Sequence, residues 1–191
     1  MKTSHKFFVS LQTITSKITA SKPLLFATYL ALSWLFAVCS QIIIPLPFNL
    51  VPISLQPMPL LLTALLFGRH AVYAYGLYLM QGAAGLPFFA GMQGGLVRIF
   101  GPTGGYLIGF AFAMMFLASV RSYKATSYGW TIAKLLGSVF IYFSMGLTQL
   151  AWFVPVEKVL ACGLFPFLMG DAIKILLVAG IVQASARSPR A

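Results

Sequence analysis

Residues 24–44 read LLFATYLALSWLFAVCSQIII, 21 consecutive positions without a charge or a proline. At 1.5 Å rise per residue a helix of that length runs about 31 Å, the thickness of the hydrocarbon layer of a bilayer. The run reads as a membrane-spanning helix, and it sets the class of the chain as an all-α integral membrane protein.

Composition agrees with that reading. Of 191 residues, 60% are hydrophobic and 8% are charged, with a mean hydropathy of +0.92; soluble domains carry about 25% charged residues. So few charges cannot supply a hydrated shell, which excludes a soluble enzyme. Lys and Arg number 13 against two acids, Glu157 and Asp171, for a net charge of +11. A nucleic-acid surface would gather that charge among aromatic residues. Here the basic residues sit mainly beside apolar runs, as orientation determinants next to anionic lipid do, and no nucleic acid is expected as a partner.

Upstream of the first span, residues 1–23 carry Lys2, His5, Lys6, Lys17 and Lys22, with Phe7, Leu11, Ile14 and Ile18 at helical spacing. This predicts an amphipathic helix lying on the inner membrane surface. A cleaved signal peptide would need a longer apolar run directly after the first basic residues, and a small-residue cleavage site. Downstream, Pro45, Pro47, Pro52, Pro57 and Pro59 exclude a continuous helix, so this stretch must lie outside lipid or against protein.

Further apolar stretches predict a short second helix over 60–67, a third over 71–86, a fourth over 104–120, a fifth over 135–156 and a sixth over 164–186. Between the third and fourth, residues 87–103 hold two prolines and four glycines, a second irregular segment. The expected organisation is one six-helix membrane domain over 24–187 with a short tail over 188–191. Cytoplasmic N and C termini place Arg69, Arg121, Lys124, Arg187 and Arg190 inside and leave mainly Arg98 and Lys158 outside.

Asp171 and Lys174 stand three residues apart within the last span, on one helix face. An ionisable residue at membrane depth costs at least about 2.5–3.5 kcal/mol on insertion scales, so the pair is expected to face the bundle interior and to be functional. Arg98, in the glycine-rich segment, is expected to fold back toward them. The three would form an outward-facing pocket of net charge about +1, suited to a small anion with hydrogen-bond donors and an apolar body. Phe88, Phe89, Trp152 and Phe165 are candidate apolar walls. Ala27 with Ala31, and Gly105 with Gly109, repeat small residues at a spacing that lets helices approach closely.

No enzymatic constellation is present. His5 and His70 lie in basic segments, a single acid lies within the membrane, and no metal cluster is expected. Residues 101–105 lack the Gly-Lys-Ser/Thr ending of a phosphate-binding loop, so energy from ATP would have to come from another chain. Cys39 and Cys162 lack any CxxC or His spacing and read as small packing residues.

Four runs carry a resemblance: VPISLQ at 51–56, GAAGLPFFAG at 82–91, GPTGGYLIGF at 101–110 and PFLMGDAIK at 166–174. Together they resemble BioY, the biotin-binding S component of energy-coupling-factor transporters, over about residues 24–187. The resemblance implies the S-component fold in the plasma (inner) membrane, capture of biotin from the outer side, and docking on a transmembrane coupling protein driven by two ATP-binding cassette ATPases. No cofactor is implied. It assigns Asp171, Lys174 and Arg98 to the biotin site, Gln56 and Tyr106 as lining residues, and Ala27 and Ala31 to the docking face. Which of Arg98 and Lys174 meets the carboxylate stays open. The chain departs from the family at Pro57-Met58-Pro59 and at Gly91-Met92-Gln93-Gly94, where small or hydroxylated residues are usual. Rival readings are an S component for another small anionic vitamin, a solitary biotin facilitator, and a polytopic membrane enzyme.

Overall fold

Pro23 enters the first helix within its opening turn, where a missing backbone N–H costs nothing, and α1 then runs from Lys22 to Gln41. The computed structural model describes residues 21–44, 50–121 and 127–187. The predicted amphipathic segment up to residue 20, Pro45, Pro47, Lys124 and the tail 188–191 lie outside the described residues.

After α1 the chain forms a two-stranded antiparallel ribbon, β1 (Ile43–Ile44) with β2 (Ile53–Ser54), in which Ile43 faces Ser54. Pro57 sits in the first turn of α2 (Pro57–Phe67). Gly68, at φ +57°, turns the chain directly into α3 (Arg69–Ala83). The irregular segment that follows contains a single short turn of helix, α4 (Leu96–Ile99). The chain continues through α5 (Gly104–Ser119), α6 (Tyr128–Leu150), α7 (Val156–Gly163) and α8 (Phe165–Arg187).

Among the described residues, three stretches are individually long and apolar enough to cross a membrane: α1, α6 and the run 156–184 through α7 and α8. The shorter α2 is apolar all round and its Leu60, Leu61 and Ala64 are buried, as expected of a helix enclosed by others. Large apolar side chains such as Phe26, Trp34, Phe140 and Met169 point outward, which suits a surface solvated by lipid.

Each predicted stretch contains a helix in the expected order, with two differences. The described residues include α4 and α7 besides those six, so the helix count is larger than expected. The fifth helix begins at Tyr128, not Leu135, and ends at Leu150, not Val156. Ser127 caps its start by accepting from Trp130 N at 3.3 Å. Lys134 thereby falls inside the helix, 8% exposed, with its Nζ 6.0 Å from the Trp130 ring centre. A lysine stem reaching back along the helix places its charge near the helix end, so a cation does not interrupt the span.

Helices α5 and α6 pack closely because glycines line their contact. A Cβ on Gly105 would lie 2.4 Å from Met145 O, and one on Gly109 would lie 2.8 Å from Tyr142 Cα. On the facing helix, a Cβ on Gly146 would strike the Tyr106 ring at 2.4 Å. The expected small-residue face on the fourth predicted helix is thus an internal seam.

Candidate functional site

The seam brings Tyr142 of α6 against α8, whose one acid is Asp171. Asp171 is 5% exposed. Lys174 Nζ donates to Asp171 Oδ1 at 2.7 Å and to the Ser54 carbonyl of β2 at 2.8 Å. Tyr142 donates its hydroxyl to Asp171 Oδ2. A buried charge pair is tolerable when its remaining polar positions are also bonded, and here both partners reach beyond each other. The carboxylate keeps lone pairs and the ammonium keeps a third hydrogen for a ligand.

The pair lines a cavity of about 220 Å³. Its helical lining comes from Tyr106, Leu107 and Phe110 of α5, Tyr142 and Phe143 of α6, and Phe167, Asp171 and Lys174 of α8. One side is formed by the ribbon and its connection, through Ile43, Val51, Ser54 and Gln56. Further lining comes from Phe89, Gly91, Gln93 and Arg98 of the segment between α3 and α5.

All five residues expected at the site line this one cavity: Gln56, Arg98, Tyr106, Asp171 and Lys174. Their chemical availability differs. The Gln56 amide nitrogen donates to Tyr78 Oη at 3.0 Å. The Tyr106 hydroxyl donates to the Gly163 carbonyl at 2.8 Å, which leaves its ring as the lining surface. Arg98 is half-buried at the end of α4; its backbone N–H donates to Gly95 O at 3.2 Å, but its guanidinium has no hydrogen-bond or ion-pair partner among the described residues, which leaves it an uncommitted cation of the cavity.

The expected apolar walls need correction. Phe89 lines the cavity, but Phe88 packs against Trp34 and Tyr78 at 5.6 and 6.2 Å between ring centres. Trp152 and Phe165 are 82% and 60% exposed and face away. Their place is taken by Phe110, Tyr142, Phe143 and Phe167, with Phe110 and Phe143 each centred 4.8 Å from the Tyr142 ring. Phe167 was legible: it precedes Asp171 by four residues and so shares its helix face, whereas Phe165 does not. Tyr142 was not, because helical spacing on α6 says nothing about its register against α8.

Ala27 and Ala31 lie apart from the cavity, both exposed on the outer face of α1. Cys39 and Cys162 are free and half-buried. No group of three metal-ligating side chains occurs among the described residues.

Comparison with known proteins places this geometry. The BioY family pattern matches residues 11–190. A biotin transporter BioY of Thermotoga maritima is 33% identical over 138 residues, 71% of this chain and 81% of the relative. A probable biotin transporter BioY of Pyrococcus horikoshii is 36% identical over 125 residues, 65% of this chain and 74% of the relative. Among solved structures, the S component for biotin of an ECF-type ABC transporter superposes with a TM-score of 0.76 at 25% identity, covering 88% of this chain and 93% of that one. With the family pattern running almost end to end and the fold shared with a solved S component, this chain belongs to the BioY family.

Proposed function

We propose that this chain is the biotin-binding membrane subunit of an energy-coupling-factor importer and serves biotin uptake. The observation that carries the reading is the buried Asp171–Lys174 pair, held by Tyr142 and Ser54, in an aromatic-lined cavity that it shares with Arg98, whose guanidinium has no partner among the described residues. Biotin offers a ureido group with two N–H donors and a carbonyl, an apolar ring and chain, and a carboxylate. Asp171 accepts from ureido N–H, the third Lys174 hydrogen meets the ureido carbonyl, and Phe110, Phe143 and Phe167 enclose the apolar body. Arg98, the cation without an internal partner, takes the carboxylate in a charge-assisted pair.

In this reading six helices, α1, α2, α3, α5, α6 and α8, form a single domain over residues 24–187 in the plasma membrane. The N and C termini and Arg69 and Arg121 lie on the cytoplasmic side, and the cavity opens outward. Partners are a transmembrane coupling protein and two ATP-binding cassette ATPases, which supply the ATP-driven step. The exposed Ala27 and Ala31 form the face of α1 that meets the coupling protein, since two methyl side chains one turn apart permit close helix approach.

The test is equilibrium binding of radiolabelled biotin to the purified chain with unlabelled biotin, thiamine and riboflavin as competitors. Saturable binding displaced by biotin alone supports the assignment. Displacement by thiamine or riboflavin moves the chain to another vitamin, and biotin uptake in cells lacking any coupling module makes it a solitary facilitator.

A further inference from the structure

The turn from Phe89 to Gln93 forms part of the cavity wall through Phe89, Gly91 and Gln93. Its ends pair with each other, Phe89 N to Gln93 O at 2.8 Å and Gln93 N to Phe89 O at 3.1 Å. Between them Gly91 and Met92 both have positive φ, +76° and +57°. A left-handed methionine is unfavourable for an L side chain and persists only where surroundings enforce it. The turn also lies in the stretch, 91–94, where this chain departs from the resembled pattern.

The enforcing group is Gln41, the last residue of α1. Its Oε1 accepts from Met92 N at 2.8 Å. Its Nε2 faces the carbonyls of Pro87, Phe88 and Phe89 at 3.3, 3.1 and 3.2 Å. One amide thus reaches the turn at both ends, its two hydrogens shared among these carbonyls and, within α1, Ser40 Oγ at 3.0 Å and Ala37 O at 3.2 Å. Phe88 O also accepts from Ser40 and from Tyr78 Oη, and Tyr78 Oη accepts in turn from the cavity residue Gln56. The turn is therefore fixed to α1 by Gln41 and Ser40 and to the ribbon side of the cavity through Tyr78. Immediately after Gln41 the chain enters β1, whose partner strand supplies the carbonyl that holds Lys174.

We propose that Gln41 is a positioning residue that latches the 87–93 turn against the cavity and thereby sets how long the bound ligand is retained. Gln41 does not line the cavity, so its effect passes through the wall it holds. The proposal rests on the biotin reading above. A wall freed from α1 opens more often, and differences of this kind appear mainly in the dissociation rate.

The experiment compares the full-length wild-type chain with Gln41→Ala and Gln41→Glu. Radiolabelled biotin gives association and dissociation rates and the number of sites, and hydrogen exchange of ligand-free protein follows the turn directly. Gln41→Ala is expected to keep its full number of sites, to release biotin about ten-fold faster or more, and to exchange the Met92 amide faster. Gln41→Glu keeps the acceptor for Met92 N but sets an acceptor-only carboxylate oxygen against the carbonyls of Pro87, Phe88 and Phe89, and is expected to release biotin at least as fast as Gln41→Ala. Unchanged release from a Gln41→Ala protein with full site number overturns the proposal. A reduced number of sites with wild-type release from those remaining also overturns it, since that is the signature of a purely structural residue. Absence of saturable biotin binding by the wild-type chain is instead the failure of the biotin reading, and the retention role falls with it.

Discussion

Lys174 Nζ lies 2.7 Å from Asp171 Oδ1, one helical turn away on α8, and the same ammonium reaches 2.8 Å across to the Ser54 carbonyl of β2. The pair is therefore more than a neutralising contact within one helix. It ties the last helix to the ribbon that forms one side of the cavity, while Tyr142 ties the same carboxylate to α6. Three separate parts of the fold meet at one ion pair, so the acceptor sites of its carboxylate are aimed before any ligand arrives.

Asp171→Asn is expected to leave the protein folded, because the amide oxygen still accepts from Lys174 or Tyr142. Its NH2 group then faces the N–H donors of the ligand. The mismatch of donor against donor is expected to cost about 1–3 kcal/mol, roughly 5- to 150-fold in biotin affinity. Equilibrium binding in detergent checks this, and wild-type affinity in the folded variant removes Asp171 from the site.

Arg98→Gln is expected to remove the preference for a carboxylate. The wild-type chain should bind biotin more tightly than biotin methyl ester, and the variant should bind the two nearly alike, with biotin losing about 1.5–3 kcal/mol. Competition of each compound against labelled biotin measures the ratio. A preserved ratio in Arg98→Gln would assign the carboxylate to Lys174.

Two glycines predict opposite effects of the same substitution. At Gly105 a methyl group meets the Met145 carbonyl at 2.4 Å, backbone that cannot yield without parting α5 from α6. Gly105→Ala is expected to destabilise by about 1–3 kcal/mol, as overpacking does. Gly76, inside α3, has open space around its Cβ position. Gly76→Ala is expected to be neutral or to stabilise by about 0.5–1 kcal/mol. Thermal unfolding of the two variants in one detergent decides, and a Gly105→Ala protein as stable as wild type would deny that the seam is closely packed.

Replacing Ala27 and Ala31 together by Trp is expected to leave biotin binding unchanged, because both residues are exposed on α1 away from the cavity. Uptake in cells that carry the coupling protein and ATPases should fall to background, since bulk there holds the docking helices apart. Normal uptake that still requires those partners would place the docking face elsewhere.

Much of the fold was legible because the solvent is apolar: uninterrupted hydrophobic length marks helices in lipid, and each predicted stretch contains one. The boundaries of α6 were less so. Lys134 at its buried position and Ser127 as its cap place the start earlier than charge counting does. That Asp171 and Lys174 are buried inside the bundle was legible for the same energetic reason, as such residues have no cause to lie within a span unless they face inward.

The sequence by itself determined the membrane class, the order of the helices, the ionisable pair and, through four short runs, the family resemblance. All of these follow from local composition and spacing along one chain. Tertiary structure alone decided that Tyr142 meets Asp171, that Phe167 replaces Phe165 in the wall, and that Gln41 holds a turn some 50 residues further on. Such contacts depend on the rotation and register of one helix against another, which side-chain volume sets at seams like Gly105–Met145. The period of a single helix carries no information about that match.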